Sequence, residues 1–136
     1  MKRVIVSLLC ALVVIASAIA APPSNFAGEY ADKNFLNGQA VFQMSIEQNG
    51  NAVVVWFSAG YNDGHGAGPQ AGGKGRVTSN GTVEFTFDDS SRNVGTGTIT
   101  RAGDDLIVSL RTTRVADSAC LAFYQQKIHL KRAGKK

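Results

Sequence analysis

Cysteine, histidine and long apolar runs are all scarce in this 136-residue chain, and each scarcity excludes a class of protein. The sequence contains two cysteines and two histidines. A stable transition-metal site needs three or four convergent ligands, and a disulfide scaffold needs several cysteine pairs. We therefore expect no metal, no other cofactor, and a fold held together by burial and hydrogen bonding.

The one long apolar run lies at the amino terminus. Two basic residues precede an almost unbroken apolar stretch over 4–15, and Ala18-Ile19-Ala20 places small residues before a cleavage point. This pattern is typical of a cleavable signal peptide, so we expect residues 1–20 to be removed. The run is short for a bilayer span. The sequence therefore predicts an exported protein, periplasmic or secreted, without stable membrane insertion after cleavage.

Removal of the leader changes the cysteine count and the charge. Cys10 leaves with residues 1–20, so Cys120 is either a buried small hydrophobe or an intermolecular crosslink. The remaining 116 residues carry 12 basic and 10 acidic side chains, and this length suits a single domain. We place a β-domain over 21–130 and a basic tail over 131–136.

The distribution of basic residues argues against nucleic-acid binding. Five of the 12 lie in the last ten residues, which leaves the body of the chain mildly acidic. A nucleic-acid interface has basic residues clustered on one face, and we would expect aromatic side chains between them. The sequence contains no such basic and aromatic cluster. We expect no nucleic-acid partner, and a monomer or a weak dimer.

Apolar residues after the leader recur with period two, which predicts strands rather than helices. Residues 39–48, 82–88 and 105–113 alternate between apolar and polar positions. Residues 52–58 are apolar on both faces, which is typical of a strand covered on both sides. Further strands are expected near 26–30, 75–79, 94–101 and 121–130. About eight strands at this spacing predict an all-β fold, an antiparallel up-and-down barrel, with a β-sandwich as the alternative.

Glycine and asparagine mark the turns between these strands. Asn49-Gly50-Asn51 and Asn80-Gly81 tolerate the positive φ of tight hairpins, and Ala102-Gly103-Asp104 also reverses the chain. Gly95 and Gly97 alternate within one strand, which suits tight curvature or close approach of another backbone. Closure into a barrel would also remove two unpaired sheet edges.

Two features resemble small exported bacterial barrels of the lipocalin-like type. Gly28-Glu29-Tyr30 is similar to the Gly-x-Trp opening of lipocalin barrels, with Tyr in place of Trp. The segments 72–75, 85–88 and 93–98, followed by Asp105-Leu106, are similar to the hairpins of such barrels. The resemblance implies a scaffold that encloses a small ligand or presents a loop to a partner, rather than one that catalyses a reaction.

The longest connection, Ala59 to Gly73, is the main candidate for a binding site. It contains six glycines, and long loops inside compact domains tend to be functional or disordered. We predict that it engages a partner, with a flexible glycine-rich connection as the alternative. The predicted contact residues are Tyr61, Asn62, Asp63 and His65.

The barrel interior offers a second candidate site. A small eight-stranded barrel is either filled by its own side chains or holds one small ligand. Bulky residues are numerous enough here to fill it, and we predict a packed core. An unfilled interior would instead place Trp56 and Tyr124 as a wall around a small apolar ligand.

Patterns that carry catalysis are missing. His65 and His129 are the only imidazoles, and no Gly-x-Ser-x-Gly elbow is present. Asp88-Asp89 and Asp104-Asp105 are paired acids, but each pair falls at a predicted turn, where aspartate caps the backbone and faces solvent. We therefore predict a protein that is not an enzyme.

These observations converge on an exported β-barrel that binds a partner through residues 59–73. The concrete case is an inhibitor or immunity protein of a cell-wall hydrolase, because small periplasmic barrels that this chain resembles insert loops into a lysozyme cleft. The alternative is a carrier of a small apolar ligand inside the barrel.

Overall fold

Eight strands form a single closed sheet in the computed structural model, which describes residues 24–66 and 68–133. Each strand pairs antiparallel with its neighbours in the chain, and the first strand pairs with the last. The predicted up-and-down barrel is confirmed, in preference to a sandwich. The strands are β1 (Gly28–Phe35), β2 (Ala40–Asn49), β3 (Ala52–Tyr61), β4 (Gln70–Val77), β5 (Val83–Asp89), β6 (Val94–Ala102), β7 (Asp105–Arg114) and β8 (Ile128–Arg132).

Some predicted features lie outside the described residues. These are the leader over 1–20, with its Cys10, and residues 134–136 of the basic tail. Lys131 and Arg132, which were predicted to belong to that tail, instead pair with β1 as the end of β8. Within the described part of the chain, no helix combines the length and hydropathy needed to cross a bilayer.

Period-two alternation fills the interior of the barrel. From Ala40 to Ile46 in β2 and from Val53 to Ala59 in β3, every second side chain points inward and is at most 8% exposed. Inward residues from all eight strands join one hydrophobic cluster. Burial of each large apolar side chain contributes roughly 1.5–3 kcal/mol. The predicted inward residues of these two strands are confirmed; they are Ala40, Phe42, Met44, Ile46, Val53, Val55 and Phe57.

Two glycines allow aromatic rings to lie across the interior. A Cβ at Gly95 would stand 2.5 Å from the Phe87 ring, and one at Gly97 would stand 2.4 Å from the Phe85 ring. The missing side chains therefore leave the space that both phenylalanines occupy. This confirms that the alternating glycines mark a close approach, although rings as well as backbone make it.

The barrel has two unlike ends. At the turn end, short hairpins join β2 to β3, β4 to β5 and β6 to β7, and glycines 50, 81 and 103 adopt the positive φ that these turns require. Phe26, which precedes β1 and is fully buried, plugs this end. Its backbone N–H donates to Gln48 Oε1 at 2.7 Å, and its carbonyl accepts from the Tyr30 hydroxyl at 2.9 Å.

The opposite end, which we call the loop end, is covered by the segment between β7 and β8. A short 3₁₀ helix (Ser118–Phe123) places Cys120 and Phe123 in the barrel mouth, both fully buried. The predicted closing strand over 121–130 is thus wrong in its first half. Those residues leave the sheet because their apolar side chains cap the mouth instead of lining a strand.

Candidate partner-binding rim

A loop over residues 62–69 connects β3 to β4 at the loop end, and residues 62–66 and Gly68 are exposed. It is shorter than the predicted 59–73, because β3 continues to Tyr61 and β4 begins at Gln70. Gly73 belongs to β4, where a Cβ would lie 1.6 Å from the Thr86 carbonyl oxygen. That glycine therefore serves close strand packing rather than loop flexibility.

The base of the loop is held by its neighbours. The Asn62 side chain donates to the Gly38 carbonyl at 2.8 Å, and its backbone N–H donates to the Gln39 carbonyl at 2.9 Å. The Tyr61 ring is half-buried and packs on Phe123, with ring centroids 5.2 Å apart. Tyr61 therefore serves mainly as an anchor, while the exposed Asn62 joins the loop to the β1–β2 turn.

The tip of the loop is polar and internally bonded. Asp63 accepts a hydrogen bond from the His65 backbone N–H at 3.1 Å, and its carboxylate also contacts His65 Nδ1. The imidazole stacks on Tyr61 with centroids 4.3 Å apart. These hydrogen bonds lower the pKa of Asp63, and the bond from the His65 backbone has the largest effect. The tip therefore presents an ionised carboxylate beside an imidazole, both more than 60% exposed.

We define the loop-end rim as the 62–69 loop, the β1–β2 turn (36–39), the β5–β6 turn (90–93) and the 115–127 segment. All four surround the same mouth of the barrel. The four predicted contact residues lie together at the loop end: Asn62, Asp63 and His65 are on this rim, and Tyr61 adjoins it as the last residue of β3. Three of them are exposed, and Tyr61 is the half-buried exception.

A buried polar cluster fixes the rest of the rim, and its role was not predicted. Asn93 is 0% exposed, and its Oδ1 accepts from the backbone N–H groups of Ala116 and Asp117 at 2.7 and 2.9 Å. Its Nδ2 donates to Asp89 Oδ2 at 2.9 Å and to the Asp117 carbonyl at 3.2 Å. One side chain thus ties the β5–β6 turn to the 115–127 segment.

Asp89 is the charged centre of this cluster. It was predicted to face solvent from a turn, but it is only 8% exposed. Its carboxylate accepts from the backbone N–H groups of Ser91 and Asn93 at 2.8 and 2.9 Å, and it also contacts the Tyr124 hydroxyl. The correction has a physical reason, since these donors replace the water that the carboxylate loses on burial.

The contact between Asp89 and Tyr124 shifts both pKa values. Burial raises the pKa of Asp89, but hydrogen bonds from Tyr124, Asn93 and Ser91 outweigh it and hold the pKa below its usual value. Burial, followed by the hydrogen bond and charge of Asp89, strongly raises the pKa of Tyr124. The carboxylate stays ionised and the phenol stays protonated, so this bond persists across neutral pH.

The two residues predicted as a possible ligand wall lie in different places. Tyr124 does lie at the loop end of the interior, with its ring 5.2 Å from that of Phe87 and 6.2 Å from that of Phe57. Trp56 does not: it points outward from β3 and is 44% exposed. The expectation that β3 is covered on both faces is wrong, because no second layer formed by residues 24–66 or 68–133 packs on its outer face.

The histidines form two separate pairs with aspartate. His129 Nε2 lies 3.1 Å from Asp105 Oδ2 on the outer face, far in sequence from the His65–Asp63 pair. Neither imidazole hydrogen-bonds a hydroxyl or a thiol of the described residues. Residues 24–66 and 68–133 also hold no group of three or more potential metal ligands.

These features define a small β-barrel with a side-chain-filled interior and a polar rim anchored at one mouth. Its general shape is consistent with a lipocalin-like barrel, whose opening motif the segment Gly28-Glu29-Tyr30 resembles. Comparison with protein-family profiles, curated proteins and solved structures finds no match to this chain.

Proposed function

We propose that this chain is an exported, non-enzymatic binding protein that engages a protein partner through its loop-end rim. The first class of partner to test is a cell-wall hydrolase, which the barrel would inhibit. One observation carries the proposal: an exposed polar tip, Asp63 with His65, stands on a base that the barrel holds in place.

Anchoring of the loop favours binding because it lowers the entropic cost of association. Ordering a loop on binding consumes part of the interaction energy, and a preorganised loop avoids that cost. Hydrogen bonds from Asn62 and the packing of Tyr61 on Phe123 restrain the base before any partner arrives. The hydrogen bonds between Asp63 and His65 restrain the tip in the same way.

The shape of the rim suits a concave partner. Narrow projecting loops insert into concave epitopes, and hydrolases of polymers bind their substrates in clefts. An ionised Asp63 at the tip would meet basic or amide donors there. As part of the same proposal, the chain belongs to a lipocalin-like family of small exported barrels, which Gly28-Glu29-Tyr30 suggests. The burial of Tyr30 at the start of β1 supports this family assignment.

The interior is a weaker candidate for the binding site. Phe42 stacks on Phe57 with ring centroids 5.4 Å apart, and Phe57 meets Phe87 edge to face with centroids 5.1 Å apart. Phe123 covers the mouth from the loop end, and Phe26 covers the other end. A carrier of an apolar ligand would need these rings to move apart, which costs packing energy.

An inhibition assay with matched variants tests the proposal. The purified protein is titrated into lysozymes, amidases and lytic transglycosylases acting on peptidoglycan. We expect inhibition of at least one enzyme, and we expect the double variant Asp63→Ala/His65→Ala to weaken it by about tenfold or more, as for residues at the centre of an interface. The control is Ser79→Ala/Asn80→Ala, in the exposed β4–β5 hairpin at the opposite end.

Two results would contradict the proposal. Either no enzyme of the panel is bound or inhibited, or inhibition is the same for the rim variant and the hairpin control. Saturable binding of a fluorescent apolar dye at one site per barrel, competed by fatty acids, would favour the carrier instead.

A further inference from the structure

The single tryptophan of the chain lies in a shallow groove on the outer face of β1 to β4. Trp56 is 44% exposed, and the groove has a volume of about 430 Å³. Among the described residues, the other exposed large apolar side chains are Val115 and Leu121, both in the 115–127 segment. Trp56 is therefore an isolated aromatic on a polar surface and not part of an apolar patch.

The floor of the groove is shaped to hold the indole. Trp56 pairs directly with Gly72 on β4 and with Ser45 on β2. A Cβ at position 72 would lie 3.3 Å from Trp56 Cδ1. The indole therefore lies over the backbone of β4, where a side chain at position 72 would crowd it. Glycine at this position thus sets the orientation of the ring.

A row of polar side chains runs beside the indole. Gln43, Ser58 and Gln70 are direct neighbours across β2, β3 and β4. Their side chains make no hydrogen bond to any residue that the structure describes, and both glutamines are exposed. Two interstrand spacings separate the two glutamines, so the row is about 10 Å long.

The charge of the groove is low. Among the described residues that line it, Glu29 is the only charged one, and its carboxylate already accepts a hydrogen bond from Ser45 Oγ at 2.8 Å. No lysine or arginine stands among the described lining residues to bind an anion. The unpartnered groups are primary amides and a hydroxyl, each of which can both donate and accept.

We propose that this groove binds a neutral oligosaccharide built of pyranose rings. The indole offers an apolar face against which the C–H face of one sugar ring stacks, as tryptophan does where a contact is apolar on one side and wet on the other. The amides of Gln43 and Gln70 then bind the hydroxyls of that ring and of the adjacent one. A row of about 10 Å suits a disaccharide unit.

A protein partner fits this groove less well than a sugar does. The buried centre of a protein interface is depleted in charged residues and in serine, and it is enriched in several aromatic side chains. Here one aromatic is surrounded by two free amides and by hydroxyls, which a sugar can satisfy without leaving buried groups unpaired. The site is separate from Asp63 and His65, so it does not rest on the rim proposal.

The fluorescence of Trp56 provides a direct assay, because no other tryptophan contributes to it. The full chain is titrated with cellotetraose, chitotetraose and maltotetraose, and with sorbitol as an acyclic polyol control. We expect a saturable change with at least one oligosaccharide, with a Kd of about 1 mM or below, typical of a shallow site, and none with sorbitol.

Matched variants separate the site from non-specific effects. Gln43→Ala/Gln70→Ala keeps the fluorophore and is expected to weaken binding about tenfold, as expected for loss of two hydrogen bonds. Gly72→Ala displaces the indole and is also expected to weaken it. Trp56→Ala, followed by calorimetry, is expected to abolish binding. Thr98→Ala, on the exposed outer face of β6, is expected to leave it unchanged.

Defined results would overturn the inference. No saturable response to any of the three oligosaccharides at about 10 mM, well above a weak Kd, would do so. Equal binding by the wild type and the Gln43→Ala/Gln70→Ala variant would also do so. A protein partner whose binding is lost in Trp56→Ala, without a sugar response, would assign the groove to protein recognition instead. Loss of enzyme inhibition in the rim variant, with sugar binding unchanged, would show that the two sites are independent.

Discussion

Replacing Asn93 by alanine removes the side chain that joins the β5–β6 turn to the 115–127 segment. The wild-type amide makes four hydrogen bonds: two accepted from the backbone N–H groups of Ala116 and Asp117, and two donated to Asp89 and to the Asp117 carbonyl. Asn93 is fully buried, so water does not reach the alanine position freely.

The expected cost follows from these bonds. Each hydrogen bond contributes about 1 kcal/mol net, and solvent replaces part of what the backbone amides of the exposed Ala116 and the half-exposed Asp117 lose. We expect Asn93→Ala to lower the free energy of unfolding by about 3 kcal/mol. For a domain of this size, the midpoint of thermal unfolding should fall by about 12 °C.

Circular dichroism, recorded in thermal and urea unfolding, is the suitable assay. Asn80→Ala, at an exposed hairpin position, is the matched control and should change stability by less than about 0.5 kcal/mol. If Asn93→Ala were as stable as this control, the 115–127 segment would not depend on the Asn93 bonds, and the account of the rim would be wrong.

Three further predictions concern Tyr124, Cys120 and Gly97. The pKa of Tyr124 is raised in the folded state. The contribution of Tyr124 to the stability of the fold is therefore complete below the unfolded tyrosine pKa of about 10, and it declines as the pH rises further. Tyr124→Phe should therefore flatten the alkaline loss of stability in urea titrations; an unchanged slope would contradict this. Cys120 is fully buried and its pKa is raised by burial, so iodoacetamide should label it only as urea opens the barrel, and rapid labelling of the folded protein would refute its placement. Gly97→Ala should cost about 2 kcal/mol through its clash with Phe85, whereas Thr98→Ala should be nearly neutral in the same urea titrations.

The barrel was predictable because local signals determine most of it. Inward and outward residues alternate along β2, β5 and β7, and glycines 50, 81 and 103 stand where hairpins need positive φ. These patterns act over a few residues, so a single sequence is enough to read them. Short hairpins in series leave few topologies besides an up-and-down sheet that closes on itself.

The rim was predictable only in part, because it depends on contacts between distant residues. The predicted loop over 59–73 is too long. Gly72 and Gly73 resemble loop residues, but they occupy β4, where Trp56 and the Thr86 backbone approach them. Asp89 resembled a solvent-facing turn aspartate, and nothing local indicated that Tyr124, 35 residues later, would bond to it. The spacing of Asp89 and Asn93 across one turn was the available signal.

The exposure of Trp56 was not predicted, for a different reason. An apolar residue on the second face of a strand predicts a covering layer only if the fold supplies one. In a single-layered barrel the outer face stays open, so Trp56 is exposed while its neighbours Val55 and Phe57 are buried.

The central claim is that the loop-end rim, rather than the barrel interior, engages the partner. The most direct measurement is a set of ¹⁵N–¹H correlation spectra of the labelled protein, recorded during titration with a hydrolase identified by the proposed inhibition assay. We predict that the perturbed amides concentrate in residues 36–39, 61–66 and 115–124. Perturbations centred on the inward residues of β2, β3 and β5, with the rim unchanged, would contradict the account.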